Sequence, residues 1–349
     1  MLILKVIVSK MDTDLKIVVY VKESENLIHK ILNKNYPNTI IQGLNFLLDK
    51  GLDVTFLNSL TPKIIMQSNP TVIFSLRINE SAIIHKFLSI PFNNKIKLIC
   101  LDLSIYENDN RIKLKRFLVN NIFNLTTYNT IAQKYIFKYY RFNVNKMLYL
   151  PWSIDADFFT STKIEEEEDF ILAVGDANRD YITLIKAIKD LNVKLIIATR
   201  NLSFRGKFSY KLQDLIMFKN NNMYVKEVSI DELKKLYEKA KLVVLPLIPS
   251  LTGAGVTALL EAFSMSKPVI VSDSPGLKEY CMNDINCIVI KPYDWKSLQM
   301  AVLNLLNDDK KRKRLGVNAR NFILENYSTK ITAEKIFNNI IKPIKKFII

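Results

Sequence analysis

Short apolar runs alternate with longer helical patterns along this chain, and that alternation constrains its fold more than any other feature of the sequence. In the first half the expected strands are Met1–Lys10, Lys16–Val21, Asp53–Leu57, Thr71–Leu76, Lys97–Asp102, Asn124–Tyr128 and Met147–Leu150. Helical patterns lie between them at Ile40–Asp49, Ser81–Leu88 and Thr130–Tyr140. Such alternation is typical of βαβ units around a parallel sheet. The sequence therefore predicts an α/β fold.

The alternation is interrupted at Pro151-Trp152 and at the acidic run Glu165–Asp169, and then it starts again. The expected second set of strands is Phe170–Val174, Lys194–Thr199, Leu242–Pro246, Pro268–Ser272 and Cys287–Ile290, and the helices between and after them are Tyr181–Asp190, Ile230–Lys239, Val256–Met265 and Trp295–Leu306. Self-repulsion suits an acidic run to a solvated linker or surface loop. We expect a first domain over 1–150, a linker over 151–169, a second domain over 170–325 and further helices over 326–349.

The composition excludes several classes of protein. Of the 349 residues, 49% are apolar and 24% are charged, which is the balance of a globular protein with a packed core. Three cysteines are too few for a disulfide framework and indicate a reducing, cytoplasmic compartment. The two histidines, His29 and His85, argue against a His-rich metal site. No uncharged apolar stretch is long enough to span a bilayer.

Glycine is scarce, with 8 in the chain, so each glycine is expected to mark a backbone constraint. Gly175 directly follows an apolar strand and precedes a helix that begins near Arg179. A glycine at the carboxyl end of a parallel strand lets a ligand approach the backbone. A guanidinium beside a helix N-terminus can hold a phosphate. The alternative is a purely structural turn.

The segment from Pro246 to Phe263 carries the strongest local signal. Its loop contains Gly253 and Gly255, and a helix begins near Val256, where free backbone N–H groups form an anion site. Thr257 and Glu261 share one face of that helix. Apolar neighbours imply that the Glu261 carboxylate is partly desolvated and needs hydrogen-bond donors, which ligand hydroxyls would supply. A partner inside the protein is the alternative. With Gly276 at a third strand-to-helix turn, the pattern predicts a crevice for a nucleotide diphosphate.

Residues 174–328 resemble the donor-binding domain of glycosyltransferase family 4, also called group 1. The resemblance rests on Leu259-Leu-Glu-Ala-Phe-Ser-Met-Ser-Lys-Pro-Val-Ile-Val-Ser-Asp273, on Asn222–Tyr237, on the interdomain segment Leu148–Phe159 and on Asn326-Tyr327-Ser328. It implies a GT-B fold, in which two doubly wound Rossmann-like domains face each other across a cleft. The donor would bind in the second domain and the acceptor in the first. The helices over 326–349 would pack back on the first domain.

The resemblance also implies roles for individual residues. Arg179 and Glu261 would be the catalytic pair, with Glu261 holding the nucleotide ribose and Arg179 gripping the diphosphate. The implied donor-binding residues are Gly175, Arg179, Val228, Gly253, Gly255, Val256, Thr257 and Glu261. Three positions depart from the family pattern: Gly253 replaces the first acid of its Glu-x7-Glu motif, Asp176 replaces a basic residue, and Leu101 precedes Asp102 where a histidine is common.

The expected function is transfer of a sugar from a nucleotide-diphosphate donor to a lipid-linked or saccharide acceptor. By resemblance, the enzyme would be a metal-independent hexosyltransferase without a cofactor, and it would retain the anomeric configuration. Asp155 and Asp157 imitate a metal-binding pair, but no third ligand is evident, so we expect no metal. The alternatives are a nucleotide-sugar epimerase or phosphorylase on the same fold and a catalytically degenerate binding protein.

Basic and aromatic residues are interleaved between Asp109 and Asp155, a window that contains no acidic residue. The net charge of the chain is +16. Such a surface can dock on an anionic membrane, and basic–aromatic surfaces also bind single-stranded nucleic acid. A chain-wide richness in lysine is the plain alternative. We expect a cytoplasmic protein for which an anionic membrane surface is a candidate partner, and we do not expect nucleic acid to be one.

Overall fold

The computed structural model describes residues 15–59, 61–77, 96–102, 110–161, 168–199 and 222–346. The chain divides into two compact units, one formed by Met1–Asp155 with Thr329–Ile349 and the other by Ala156–Ser328. The second unit thus begins inside the segment expected as a linker. The predicted strand Met1–Lys10 and the predicted helix Ser81–Leu88 lie outside the described residues.

The described part of the first unit contains one sheet of six parallel strands in the order β2-β1-β3-β4-β5-β6. The strands are β1 (Lys16–Tyr20), β2 (Asp53–Leu57), β3 (Val72–Ser75), β4 (Lys97–Cys100), β5 (Leu125–Tyr128) and β6 (Met147–Tyr149). In the register of β1, Ile17 lies opposite Val54 of β2 on one side and Val72 of β3 on the other. The near-continuous apolar sequences of these three strands reflect burial on both faces of the sheet.

The α-helices described in this unit are α1 (Glu25–Leu32), α2 (Pro62–Ser68), α3 (Ile112–Phe117), α4 (Ile131–Tyr139), α10 (Thr329–Ile336) and α11 (Lys342–Lys346). Shorter 3₁₀ turns cover Asn38–Ile41, Leu44–Lys50 and Val144–Lys146, and π-helical turns cover Leu118–Ile122 and Phe337–Ile341. Ile336 and Ile340 are buried in the same core cluster as Ile17 and Val19 of β1. Residues from the end of the sequence therefore complete the core of the first unit.

The helix predicted over Ile40–Asp49 is wrong, because two 3₁₀ turns stand in its place. Gln42 and Gly43 between them both have left-handed backbone conformations, which an α-helix excludes. At Gly43 a β-carbon would lie 2.3 Å from the backbone oxygen of Thr329. A contact across 286 positions of sequence therefore shapes this segment.

The described second unit also carries six parallel strands, in the order β12-β11-β10-β7-β8-β9. They are β7 (Glu168–Val174), β8 (Lys194–Thr199), β9 (Met223–Glu227), β10 (Ala240–Leu245), β11 (Val269–Ser272) and β12 (Ile288–Ile290). The α-helices are α5 (Tyr181–Ile188), α6 (Ile230–Lys239), α7 (Val256–Ser264), α8 (Trp295–Asn307) and α9 (Asp309–Phe322), with shorter helical turns at Pro275–Leu277 and Ile323–Tyr327. These two sheets confirm the predicted α/β architecture of two doubly wound, Rossmann-like units.

The end of the acidic run does not belong to a linker. Glu168 and Asp169 are the first two residues of β7, and their carboxylates form ion pairs with Lys239 and Lys241. The contact with Lys241 lowers the pKa of Asp169. Basic residues on the neighbouring chain segment therefore stabilise charges that, in the sequence alone, only repel one another.

Candidate functional site

A cavity of about 380 Å³ opens in the second unit at the carboxyl ends of the strands. Strand β7 lies between β8 and β10, so the strand order reverses direction at this point of the sheet. In open α/β sheets, ligands bind at such a switch point. The cavity is lined by Val174, Gly175, Asp176, Ala177, Arg179, Ala198, Thr199, Val228, Leu233, Gly255, Thr257, Ala258 and Glu261.

Gly175 and Arg179 form one wall of the cavity as an interlocked pair. The backbone of Gly175 has a φ of +107°, and a β-carbon there would lie 2.3 Å from Nη2 of Arg179. Arg179 is buried, and it donates from Nε to the oxygen of Val174 at 2.8 Å and from Nη1 to the oxygen of Ala177 at 2.7 Å. The guanidinium is therefore held flat against a backbone that has no side chain at residue 175.

Arg179 lies just before the helix that the sequence predicted. Asp180, not Arg179, is the N-cap of α5, and its carboxylate accepts a hydrogen bond from the backbone N–H of Thr183. Tyr181 donates its hydroxyl to the oxygen of Gly175 at 2.6 Å. Burial raises the pKa of Tyr181 far above its ordinary value, so this hydroxyl stays protonated and remains a donor.

The start of α7 forms the opposite wall. Gly255 is the N-cap, with a φ of +90°, and since it has no side chain, the first turn of the helix has no side-chain cap. Thr257 and Ala258 of that first turn line the cavity. The positive end of the helix dipole and its uncapped N–H groups make this turn suited to an anion.

Glu261 lies one turn further along α7, with only 2% of its surface exposed. Its Oε2 accepts a hydrogen bond from the Tyr237 hydroxyl at 3.0 Å. The same hydroxyl lies 3.3 Å from the oxygen of Ala258. The buried carboxylate therefore has a partner inside the protein, as the alternative interpretation of the sequence requires, and it also lines the cavity.

Sequence reasoning missed Tyr237, although a signal for it exists. Ile230, Leu233 and Tyr237 recur at the spacing of one helix face, and all three are buried. A buried tyrosine hydroxyl needs a hydrogen-bond partner. That need points to a polar group on the element packed against α6.

The remaining wall is more apolar and comes from β8, from the residue after β9 and from α6. Ala198 and Thr199 end β8, and the backbone N–H of Val228 donates to the oxygen of Thr199 at 2.9 Å. Leu233 of α6 completes this wall. Of these residues, the sequence predicted only Val228, although a parallel strand over Lys194–Thr199 must end at the same edge of the sheet as β7.

Two predicted donor-binding residues do not line the cavity. Gly253 lies in the preceding loop, and its oxygen accepts the N–H of Val256 at 2.9 Å. Val256 is itself buried. Gly276 is not in the lining either; a β-carbon there would lie 2.0 Å from the oxygen of Thr252, so this glycine admits the loop rather than a ligand.

No group of three His, Cys, Asp or Glu side chains in the described ranges is arranged to hold a metal ion. The Asp155 carboxylate accepts the backbone N–H of Asn38 at 3.0 Å. His29 is exposed on α1, and His85 lies outside the described residues. Among the helices that the structure describes, none combines the length and the apolar character needed to cross a bilayer.

Two doubly wound units, the second with a cavity at its switch point, define the GT-B class of folds. The sequence profile of the glycosyl transferases group 1 family matches residues 155–322, which include nearly all of the second unit. This match confirms the resemblance at the level of group 1.

Curated proteins with similar sequences are also glycosyltransferases by name. The chain is 28% identical to the uncharacterized glycosyltransferase MJ1607 of Methanocaldococcus jannaschii over 68% of this chain and 60% of that protein. It is 32% identical to the O-antigen chain mannosyltransferase RfbU of Salmonella typhimurium over 49% of this chain and 47% of RfbU. The chain thus aligns with about half to three fifths of the length of these two relatives.

Solved structures show the same fold across nearly the whole chain. A glycosyltransferase from Rickettsia africae has a TM-score of 0.72 at 14% identity, covering 95% of this chain and 99% of that one. Anabaena HepE in complex with UDP-glucose has a TM-score of 0.71 at 13% identity, covering 94% and 99%.

Proposed function

We propose that this protein is a glycosyltransferase that moves a sugar from a nucleotide-diphosphate donor to a lipid-linked or saccharide acceptor, with retention of the anomeric configuration. One observation carries the proposal. A single cavity brings together a buried carboxylate, an uncapped helix start and a fixed guanidinium. RfbU, by its name a mannosyltransferase, and HepE, crystallised with UDP-glucose, support a nucleotide-sugar donor.

Glu261 would hold the ribose of the donor. Tyr237 already donates to one of its carboxylate oxygens, which orients the group within the cavity wall. A buried carboxylate gains from further donors, and two neighbouring ribose hydroxyls provide them. In this role Glu261 positions the nucleotide and transfers no proton.

The first turn of α7 and Arg179 would bind the diphosphate. The N–H groups of Thr257 and Ala258 and the hydroxyl of Thr257 act as donors, and the helix dipole favours the negative charge. Charge grows on the diphosphate as the bond to the sugar breaks. A guanidinium whose orientation is fixed in advance stabilises that charge without reorganisation. This arrangement supports a mechanism that needs neither a metal ion nor a cofactor.

The apolar wall would face the nucleobase. The buried residues Ala198 and Leu233 and the half-buried Val228 form an apolar surface beside the carboxyl end of β8. Backbone groups at the ends of β8 and β9 are suited to read the edge of a base. The acceptor would bind in the first unit, as the family resemblance implies.

A thermal-shift panel with UDP, GDP, ADP, TDP and CMP, each alone and as sugar conjugates, tests the donor site. A ligand at 100 times its dissociation constant stabilises a fold by about 2.7 kcal/mol. We expect a selective shift with one nucleotide diphosphate, lost in Glu261→Gln. It should be kept in Glu325→Gln, a matched change at an exposed residue of the same unit. A shift that survives Glu261→Gln contradicts the ribose role.

A non-catalytic binding protein is the second candidate, and Gly253 favours it, because the family pattern has an acid at this position. Radiolabelled donor distinguishes the possibilities. Transfer of label to an acceptor, or slow hydrolysis of the donor, supports the transferase, and an isomerised donor without acceptor indicates an epimerase. Nucleotide binding with neither reaction supports the degenerate protein. Unchanged turnover in excess EDTA is expected for a metal-independent enzyme.

A further inference from the structure

Helix α4 of the first unit presents a stripe of apolar residues to solvent. Ile131, Tyr135 and Tyr139 recur every four residues, so they lie one above another on a single face. Their exposed fractions are 50%, 70% and 79%. Exposed aromatic residues at helical spacing need an explanation, because solvent-facing helix positions are normally polar.

Helix α3 also carries exposed apolar side chains. Leu114 and Phe117 are 52% and 56% exposed. The ends of the two helices meet, since Nη1 of Arg116 donates to the oxygen of Tyr140 at 3.5 Å and the Asn120 amide donates to the oxygen of Arg141 at 3.4 Å. We name the five exposed residues of α3 and α4, Leu114, Phe117, Ile131, Tyr135 and Tyr139, the apolar face.

Positive charge borders the apolar face. Lys134 and Lys138 are exposed beside the stripe on α4, and Lys113 and Arg116 are exposed on α3. No acidic residue occurs from 110 to 154 in the sequence. The face therefore combines apolar side chains with cations whose charges no acidic residue of this segment balances.

We propose that the apolar face docks on the surface of an anionic lipid bilayer, with its basic border on the headgroups. Tyrosine is suited to the interface between headgroups and acyl chains, and long lysine side chains reach headgroups while their stems remain apolar. Anionic lipid attracts each nearby cation. Isoleucine and leucine distinguish this partner from single-stranded nucleic acid, whose bases stack on aromatic rings and gain little from aliphatic side chains.

The proposal goes beyond the donor site and is independent of it. Every residue of the apolar face lies in the first unit, whereas the donor cavity lies in the second. Vesicle binding can be measured without any nucleotide. Failure of membrane docking and failure of the proposed transferase activity are therefore separate results.

Co-sedimentation of the full chain with phosphatidylcholine vesicles, with and without phosphatidylglycerol, tests the proposal. We expect binding only to the anionic vesicles and weakening with added salt. Lys134→Glu with Lys138→Glu changes the charge by four units and should weaken binding by about 600-fold, from about fivefold for each unit of charge near the surface. Lys22→Glu with Lys30→Glu, exposed residues of the same unit outside the apolar face, is the control with the same change in net charge.

The apolar contribution is tested by Tyr135→Ser with Tyr139→Ser. This variant should lose most of its vesicle binding at moderate salt, whereas Tyr293→Ser, at a similarly exposed tyrosine of the second unit, should keep it. Circular dichroism verifies that each variant is folded. Absence of wild-type binding at low salt, equal losses in both lysine pairs, or preferential binding to single-stranded oligonucleotide would each overturn the proposal.

Discussion

Arg179 shows how single residues in the candidate site depend on one another. Two of its guanidinium nitrogens donate to the backbone, and the third lies where a side chain at residue 175 would be. Its position in the cavity wall therefore requires a glycine there. A flexible surface arginine would lose more conformational entropy on binding a diphosphate than one already held in place.

Gly175→Ala should displace Arg179 and strain the backbone at a φ of +107°. We expect a loss of about 1 to 3 kcal/mol in the free energy of unfolding and weaker binding of the nucleotide diphosphate. Gly51→Ala is the control, because Gly51 has a φ of +72° in the first unit. Urea denaturation and calorimetric titration of both variants would separate the two effects. Equal nucleotide affinities in both would show that the arginine contact is irrelevant.

Tyr237→Phe removes the hydroxyl that orients Glu261 and keeps the buried ring. We expect a rise in KM for the donor with a smaller change in kcat, and a stability loss of about 1 to 3 kcal/mol because a buried carboxylate loses a donor. Tyr327→Phe is the matched control, since that hydroxyl donates to the backbone oxygen of Glu279 at 3.3 Å elsewhere in the unit. An unchanged donor KM in Tyr237→Phe would argue against orientation through this bond.

Among the elements, α6 links a local sequence signal to the candidate site. Ser229 and Glu232 form a capping box at its start. The helix places Leu233 in the cavity lining and brings the Tyr237 hydroxyl to the Glu261 carboxylate. Helix α4 begins with a similar box, Thr130 with Gln133, in the other unit. The two helices therefore permit a matched comparison.

Ser229→Ala should reduce stability by about 1 kcal/mol and weaken nucleotide binding, whereas Thr130→Ala should affect only stability. Hydrogen bonds from the backbone N–H and the side chain of Ser229 lower the pKa of Glu232. The contribution of the Glu232 carboxylate to the free energy of unfolding is thus fully present above the pKa that this group has in the unfolded chain. It is lost as the pH falls through the lower pKa of the folded protein. Chemical denaturation from pH 7 to pH 3 should show that the difference in the free energy of unfolding between the wild type and Ser229→Ala becomes smaller in acid. If this difference were the same at every pH, the Glu232 carboxylate of the capping box would make no contribution to stability through Ser229.

The sequence predicted elements well where local pattern and burial agree. The bounds expected for β2, β8 and α6 match the structure because each is an apolar or amphipathic segment between clear turn signals. The prediction of one continuous helix over Ile40–Asp49 failed because left-handed residues and the contact with Thr329 reshape this segment. No local pattern contains that information.

The same distinction applies to the candidate site. Gly175, Gly255, Thr257 and Glu261 follow from strand ends and a helix start, and the structure brings them into one cavity. Ala198, Thr199 and Tyr237 reach the site through sheet order and helix packing. The side chains of Ala198 and Thr199 carry no chemical signature in the sequence, and the signal for Tyr237 is only that a buried hydroxyl needs a polar partner. Gly253 shares a loop with Gly255, yet it supports the helix start through its backbone rather than lining the cavity.

At the scale of the whole molecule, the first unit is built from two separate stretches of chain. Ile336 of α10 is completely buried in its core, whereas Leu324 in the second unit is 46% exposed. Ile336→Ala should destabilise the first unit by about 2 to 5 kcal/mol, and Leu324→Ala should have little effect. Hydrogen exchange followed by mass spectrometry would show which strands lose protection in each variant. Equal deprotection of β7 and β8 would mean that the two units unfold together.

This discontinuity also sets an order of events during synthesis. The ribosome makes β1 to β6 first, but Ile336 and Ile340, which complete their core, emerge only after residues 156–328. At about 5 to 20 residues per second, that interval lasts about 9 to 35 s. Throughout this interval the first unit exposes the part of its apolar core that Ile336 and Ile340 later cover. A newly made chain therefore passes through a stage at which its earlier half still lacks part of its core while its later half is being made, and chaperones can bind the exposed apolar surface then.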